Sequence, residues 1–139
     1  MNGLSSGTLK RMLSIAVLML PLLLGCKVFE DVEDIDGAWR VHEYRTNGDQ
    51  RDYYVEITPS PTDTSYYKLY NMFNMGDDFC VHLVLTDNEF TIMGCDNPIY
   101  TVSGSGKLTR SDESRIEWEY SLLGPDLSDL DIRAIYIKD

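Results

Sequence analysis

From residue 37 onward, apolar and aromatic side chains fall at every second position. They form short runs rich in Val, Ile, Tyr, Trp and Thr, broken at regular intervals by turn-forming residues. A period of two puts one set of side chains on each face of an extended strand, and no long stretch here keeps the 3.6-residue period of a helix. The pattern predicts eight strands, near residues 38–45, 52–58, 65–73, 79–86, 89–94, 99–108, 115–122 and 130–137. The connections are too short to hold a crossover helix, so consecutive strands pair as antiparallel neighbours. A meander of this kind removes its two exposed edges by closing on itself. The expected fold class is all-β, an eight-stranded antiparallel up-and-down barrel, with a two-sheet β-sandwich as the alternative.

Two hairpins can be aligned by counting. A two-residue loop at Asp87-Asn88 sets Leu85 against Phe90, Leu83 against Ile92 and Val81 against Gly94 on one face. His82, Val84, Thr86, Glu89, Thr91 and Met93 take the other. The same count brings Cys80 opposite Cys95, at a hydrogen-bonded position where a bridge is strained unless Gly94 bulges. If Cys26 is lipidated, these are the two thiols left to an exported chain, so a Cys80–Cys95 disulfide is expected, two free thiols being the alternative. In the next hairpin, a loop at Ser111-Asp112-Glu113 sets Gly106 against Trp118 and Gly104 against Tyr120. Glycines under large rings let a sheet bend while the rings cover the bare backbone. Ile116, Trp118, Tyr120 and Leu122 then face inward, and Glu117, Glu119 and Ser121 outward.

The first 25 residues follow another plan. Lys10-Arg11 precedes an apolar, uncharged stretch over residues 12–25, interrupted by Pro21. Fourteen residues make about 21 Å of helix, short of the roughly 30 Å hydrocarbon core, so this is an export signal rather than a span. It ends in Leu23-Leu24-Gly25-Cys26, which resembles the bacterial lipobox, whose cysteine sulfur receives a diacylglyceryl group. That resemblance implies cleavage before Cys26 and membrane attachment through several acyl chains, which anchor stably where one would be marginal. Residues 27–36 carry Glu30, Asp31, Glu33, Asp34 and Asp36, and such clustered carboxylates resist collapse. They look like the acidic stretch that marks surface export in Bacteroidota lipoproteins, although they begin further from the cysteine. The expected organisation is a removed signal at 1–25, a lipidated acidic tether at 26–36 and a barrel domain at 37–139. The expected location is the outer membrane, with surface-facing and periplasmic orientations both open.

Charge narrows the partners. Twelve Lys+Arg stand against 23 Asp+Glu, a net charge of −11 that loss of the signal, which holds Lys10 and Arg11 and no acid, makes more negative. Without a basic block the chain lacks the cations that nucleic-acid binding needs. Catalysis is poorly supported: His42 and His82 each stand alone on the polar side of a strand, and no nucleophile elbow, zinc-protease helix or phosphate loop is present. A calcium loop over Asp34, Asp36, Gly37 and Glu43 would put Val32, which has no ligand oxygen, at its first position. No enzyme activity, metal or cofactor is expected.

Gly37-Ala38-Trp39 at the start of the first strand looks like the Gly-x-Trp opening of lipocalins, whose Trp lies at the closed barrel end beneath a basic side chain from near the C-terminus. Arg133 and Lys138 are both candidates for that basic partner. Tyr70-Asn71-Met72-Phe73-Asn74-Met75-Gly76, residues 100–106 and Arg115-Ile116-Glu117-Trp118-Glu119-Tyr120 extend the likeness to the small lipocalin-like lipoproteins of gut Bacteroidota. The lipocalin Thr-Asp-Tyr loop and the Arg-x-Tyr pair of fatty-acid-binding proteins are both absent. The resemblance implies the fold; because an eight-stranded barrel is just wide enough to enclose side chains or one small molecule, the expected function is a lipid-anchored, non-enzymatic barrel binding a small apolar or amphipathic ligand, its cavity lined by Trp39, Tyr53, Phe90, Trp118 and Tyr120. The alternative is a barrel filled by those rings, serving as an interaction or accessory subunit of an envelope complex. Tyr44, Tyr54 and Tyr66, on the outer face, would then meet a protein or glycan partner. Replacing Cys26 by Ala is expected to leave the precursor without lipid. A product that still partitions with membranes once the signal is gone would overturn the anchor.

Overall fold

A computed structural model of the chain describes residues 35–111 and 113–139. The export segment, Cys26 and most of the acidic tether lie outside the described residues. Eight strands run in sequence order: β1 (Gly37–Tyr44), β2 (Gln50–Pro59), β3 (Tyr66–Tyr70), β4 (Cys80–Thr86), β5 (Glu89–Cys95), β6 (Thr101–Thr109), β7 (Arg115–Gly124) and β8 (Leu127–Lys138). Each pairs antiparallel with the next, and β1 pairs with β8, so the sheet is a closed up-and-down barrel and not a sandwich. One end carries the turns after β1, β3, β5 and β7, and is called the mouth below. The other carries the hairpins after β2, β4 and β6 together with the start of β1 and the end of β8, and is called the base.

Alternation directs the packing. Trp39, Val41, Tyr53, Val55 and Ile57 of the first hairpin face the interior, as do Ile116, Trp118, Tyr120 and Leu122 of β7. Rings fill the middle of the barrel in sequence: Tyr67 meets Phe90 edge-on at 5.5 Å, Phe90 stacks on Trp118 at 5.8 Å, and Trp118 tilts against Tyr136 at 5.5 Å. At the base the Trp39 indole donates to the Ile35 carbonyl (2.9 Å), while the Lys138 ammonium lies 5.5 Å from the centre of its ring system. Ile35, which the acidic pattern assigned to the tether, is fully buried in the core, and Lys138 also donates to the Asp36 carbonyl.

Two local features depart from the expected pattern, the end of β3 and the pairing of β4 with β5 beyond their turn. Strand β3 ends at Tyr70, short of residue 73, because Asn71, Phe73 and Asn74 adopt left-handed backbone (φ 65, 61 and 57°) around a single 3-10 turn, Met72–Asn74. The Asp87-Asn88 loop has both residues at positive φ, as a hairpin turn that follows the twist of its strands requires, and it fixes Leu85 opposite Phe90 and Leu83 opposite Ile92. Beyond that point Met93 is an extra residue, so His82 faces Gly94 and Val81 faces Cys95. The shift corrects both the Val81–Gly94 pairing and the disulfide: Cys80 and Cys95 are free thiols. Cys95 packs on the core with Val81, whereas Cys80 stands apart from the core cluster on the outer face.

The β6–β7 register matches the expectation, with Gly106 opposite Trp118 and Gly104 opposite Tyr120. A methyl group at Gly106 would lie 2.6 Å from the Trp118 ring. Gly106→Ala should therefore cost about 1–3 kcal/mol by forcing that ring out of its stack. Urea denaturation with an unchanged slope would measure it, and a midpoint equal to wild type would show that the wall gives more easily than the packing implies.

Candidate functional site

Inward parity puts one charged residue where the apolar series of β1 should continue. After Trp39 and Val41 comes Glu43, whose side chain has no exposure to solvent. A buried carboxylate is costly unless its oxygens are met by donors. Arg51, directly across the β1–β2 ladder, reaches one oxygen at 2.9 Å; the hydroxyls of Tyr53 and Tyr120 reach the other at 2.5 and 2.7 Å. Arg45 pairs at 2.5 Å with Asp129, a second buried acid, at the start of β8. This polar end lies toward the mouth, opposite the Trp39 base.

The Met72–Asn74 turn closes over it. The guanidinium groups of Arg51 and Arg45 lie over the Phe73 ring, 4.4 Å and 4.7 Å from its centre, and the ring meets Tyr120 edge-on at 6.4 Å. Its backbone N–H donates to the Tyr53 hydroxyl at 3.0 Å, and that hydroxyl donates on to Glu43. Positive φ at a bulky aromatic residue is strained and needs the surroundings to enforce it. Here the cation–π contacts and the Tyr53 hydrogen bond do so. Two buried donors, Arg51 Nε and Trp118 Nε1, have no hydrogen-bond partner among the described residues.

All five residues proposed from sequence as cavity lining are buried and face inward. The structure divides them: Tyr53 and Tyr120 join the polar site, Phe90 and Trp118 fill the middle, and Trp39 closes the base. Tyr44, Tyr54 and Tyr66 are exposed as expected, yet they stand at different heights on β1, β2 and β3. Neither histidine is alone: His42 pairs with Asp52 at 2.7 Å, and His82 with Asp96 at 2.5 Å. The inward placing of Glu43 was legible but missed, since period-two counting from Trp39 gives it, whereas its partner Arg51 follows only from the observed register. Cys80, His82 and Asp96 were not legible as a cluster, because their meeting depends on the bulge. Their donor atoms all lie within 4.8 Å of one another, where no metal site was expected. Burial, then the nearby Asp96 charge, pushes the Cys80 thiol up, which is the wrong direction for an activated nucleophile.

No family model and no curated protein matches the chain. Solved structures that resemble it include the 2.40 Å crystal structure of a protein of unknown function from Bacteroides ovatus, at 18% identity and a TM-score of 0.50. The likeness covers 73% of this chain and 41% of that one, so this chain spans less than half of its length, and at that identity the likeness concerns the fold.

Burial acts first on three tyrosines of the interior, and neighbouring Glu43 adds to it. The hydroxyls of Tyr53, Tyr120 and Tyr136 are all pushed up well beyond the ordinary phenol range. Each keeps its proton in the fold at a pH where the unfolded chain would release it. Their contribution to stability is whole below about pH 10 and is lost as pH rises toward the folded values. In an alkaline titration, ionisation of these three should therefore appear only together with loss of near-ultraviolet circular dichroism. Their ionisation in a still-native barrel would contradict the enclosed site.

Proposed function

We propose that this chain is an exported, lipid-anchored and non-enzymatic barrel of the cell envelope, which takes a small amphipathic ligand through its polar mouth. The observation that carries the reading is the Phe73 plug over the Glu43 site. A purely structural interior gains little from a buried carboxylate, unpartnered donors and a strained aromatic residue, whereas a binding site held shut by a replaceable ring accounts for all three. With Phe73 swung aside, the two guanidinium faces would accept a flat apolar group, and Glu43, Arg51, Tyr53 and Tyr120 would hold its polar end. The lipobox-like Leu23-Leu24-Gly25-Cys26 supports the anchor, and Gly37-Ala38-Trp39 beneath Lys138 supports the lipocalin-like reading. Between the two basic candidates, Lys138 is the one placed over Trp39, while Arg133 lies out on the wall near Glu119.

A second reading has an observation of its own. The ring series from Tyr67 to Tyr136 occupies the middle of the barrel, which suits a filled scaffold serving as an accessory subunit or as a protein- or glycan-binding wall. Native mass spectrometry of the full chain, purified in detergent from its host, separates the two. Ligand binding predicts an added mass of a few hundred daltons that is retained by wild type and lost from Arg51→Met. A bare chain in every preparation would sink the ligand proposal and leave the filled scaffold.

A further inference from the structure

The bulge in β5 does more than part the two cysteines. On β4, Val81 and Leu83 point into the core, so Cys80 and His82 point outward side by side. Without the extra Met93, Cys95 would lie across from Cys80. With it, Asp96 takes that place, its N–H donating to the Cys80 carbonyl at 3.0 Å. Cys95 meanwhile aims its sulfur at the carbonyls of Asn97 (3.3 Å) and Tyr100 (3.5 Å). Gly94 sits at the bulge with φ +140°, a conformation that favours glycine, and nothing lies within 4 Å of where its side chain would be. The flank of His82 is left uncovered. One inserted residue therefore assembles a thiol, an imidazole and a carboxylate on one outward face.

We propose that Cys80, His82 and Asp96 form a binding site for a zinc-class divalent transition metal. Sulfur, nitrogen and one oxygen are the donors that a borderline-soft cation takes, whereas calcium and magnesium seek oxygen alone. A thiolate and a carboxylate balance two positive charges, with the imidazole neutral; the thiol proton leaves to solvent as the sulfur binds. Tetrahedral zinc holds such donors about 3.5 Å apart. The present spread, from 2.5 Å between His82 and Asp96 to at most 4.8 Å across the cluster, is reached by small side-chain rotations. His82 and Asp96 are free to make them, being 39% and 61% exposed, whereas Cys80 is fixed by burial. Three protein ligands leave a fourth position, and bare Gly94 leaves it facing solvent. Lys68, across the β3–β4 ladder from His82, is the cation near the site, and its charge favours the thiolate.

Cobalt(II) titration of the full chain in detergent, under reducing conditions, reads the site directly. Wild type should show a near-ultraviolet thiolate-to-cobalt charge-transfer band together with visible bands of tetrahedral intensity, both displaced by Zn2+. Cys80→Ser should abolish the charge-transfer band. His82→Ala and Asp96→Asn should each weaken binding by at least about tenfold, and Cys95→Ser, which changes a thiol facing the other way, should leave it intact. Absence of the bands from wild type overturns the proposal, as does a band that survives Cys80→Ser or disappears with Cys95→Ser. Should Cys80→Ser fail to fold, the exposed His82→Ala decides, unchanged affinity there being fatal. A Cys80–Cys95 cross-link in the non-reduced chain would also overturn the assignment, since it needs the unbulged register and consumes the ligand.

Discussion

Six residue pairs, from Trp39 opposite Lys138 to Tyr44 opposite Arg133, join the first strand to the last and leave the sheet without a free edge. Closure at eight strands also sets the interior diameter, which admits little more than one layer of large side chains. Inward positions must then share a fixed volume. Where Trp118 and Tyr120 claim it, the facing wall gives up its side chains at Gly106 and Gly104. Where Tyr67, Phe90, Trp118 and Tyr136 meet, edge-on, stacked and tilted contacts replace the interdigitated aliphatic packing of a wider sandwich.

The same closure makes the two ends chemically unequal. At the base, the arriving chain buries Ile35 and the departing chain brings Lys138 over Trp39, so apolar cover and one cation suffice. At the mouth the longest connection, residues 71–79, folds in rather than continuing β3 as strand. Phe73 reaches the interior by that route, and the site it covers is ionic. Tyr53 is the hinge between these layers, since its hydroxyl accepts from the Phe73 amide and donates to Glu43. Position of the plug and state of the carboxylate are thereby linked through a single phenol.

Period-two alternation made the strand count, the antiparallel order, both central turns and the inward faces of β1 and β7 legible in the sequence. Alternation is a property of single residues, and the barrel obeys it nearly everywhere. What escaped were the places where one residue changes the count. Ile92-Met93-Gly94-Cys95 offers Gly94 as a place to bulge but does not state which residue will be extra, because that is chosen by how β4 and β5 fit around the closed wall. Everything beyond it, including the partners of Cys80 and His82, moves with that choice. The plug escaped for a related reason: Tyr70-Asn71-Met72-Phe73 reads as strand until Asn71 takes a left-handed conformation, held by its bonds to the Tyr54 carbonyl and the Gly76 amide. Glu43 lost out to the habit of reading acids as surface residues, although parity had already turned it inward.

Pressing Trp118 and Tyr120 against bare backbone constrains how this sequence can drift. At Gly106 no single exchange adds even a methyl without displacing the Trp118 ring, and at that ring a smaller residue opens a void above naked main chain; at Gly104 a methyl would meet the Glu119 carbonyl and the Tyr120 backbone, which no change of ring relieves. Lineages that depart from the arrangement at Gly106 must alter wall and ring together. Gly106 and Trp118 are thus inherited as a couple, and relatives that have lost one member should be found to have lost both.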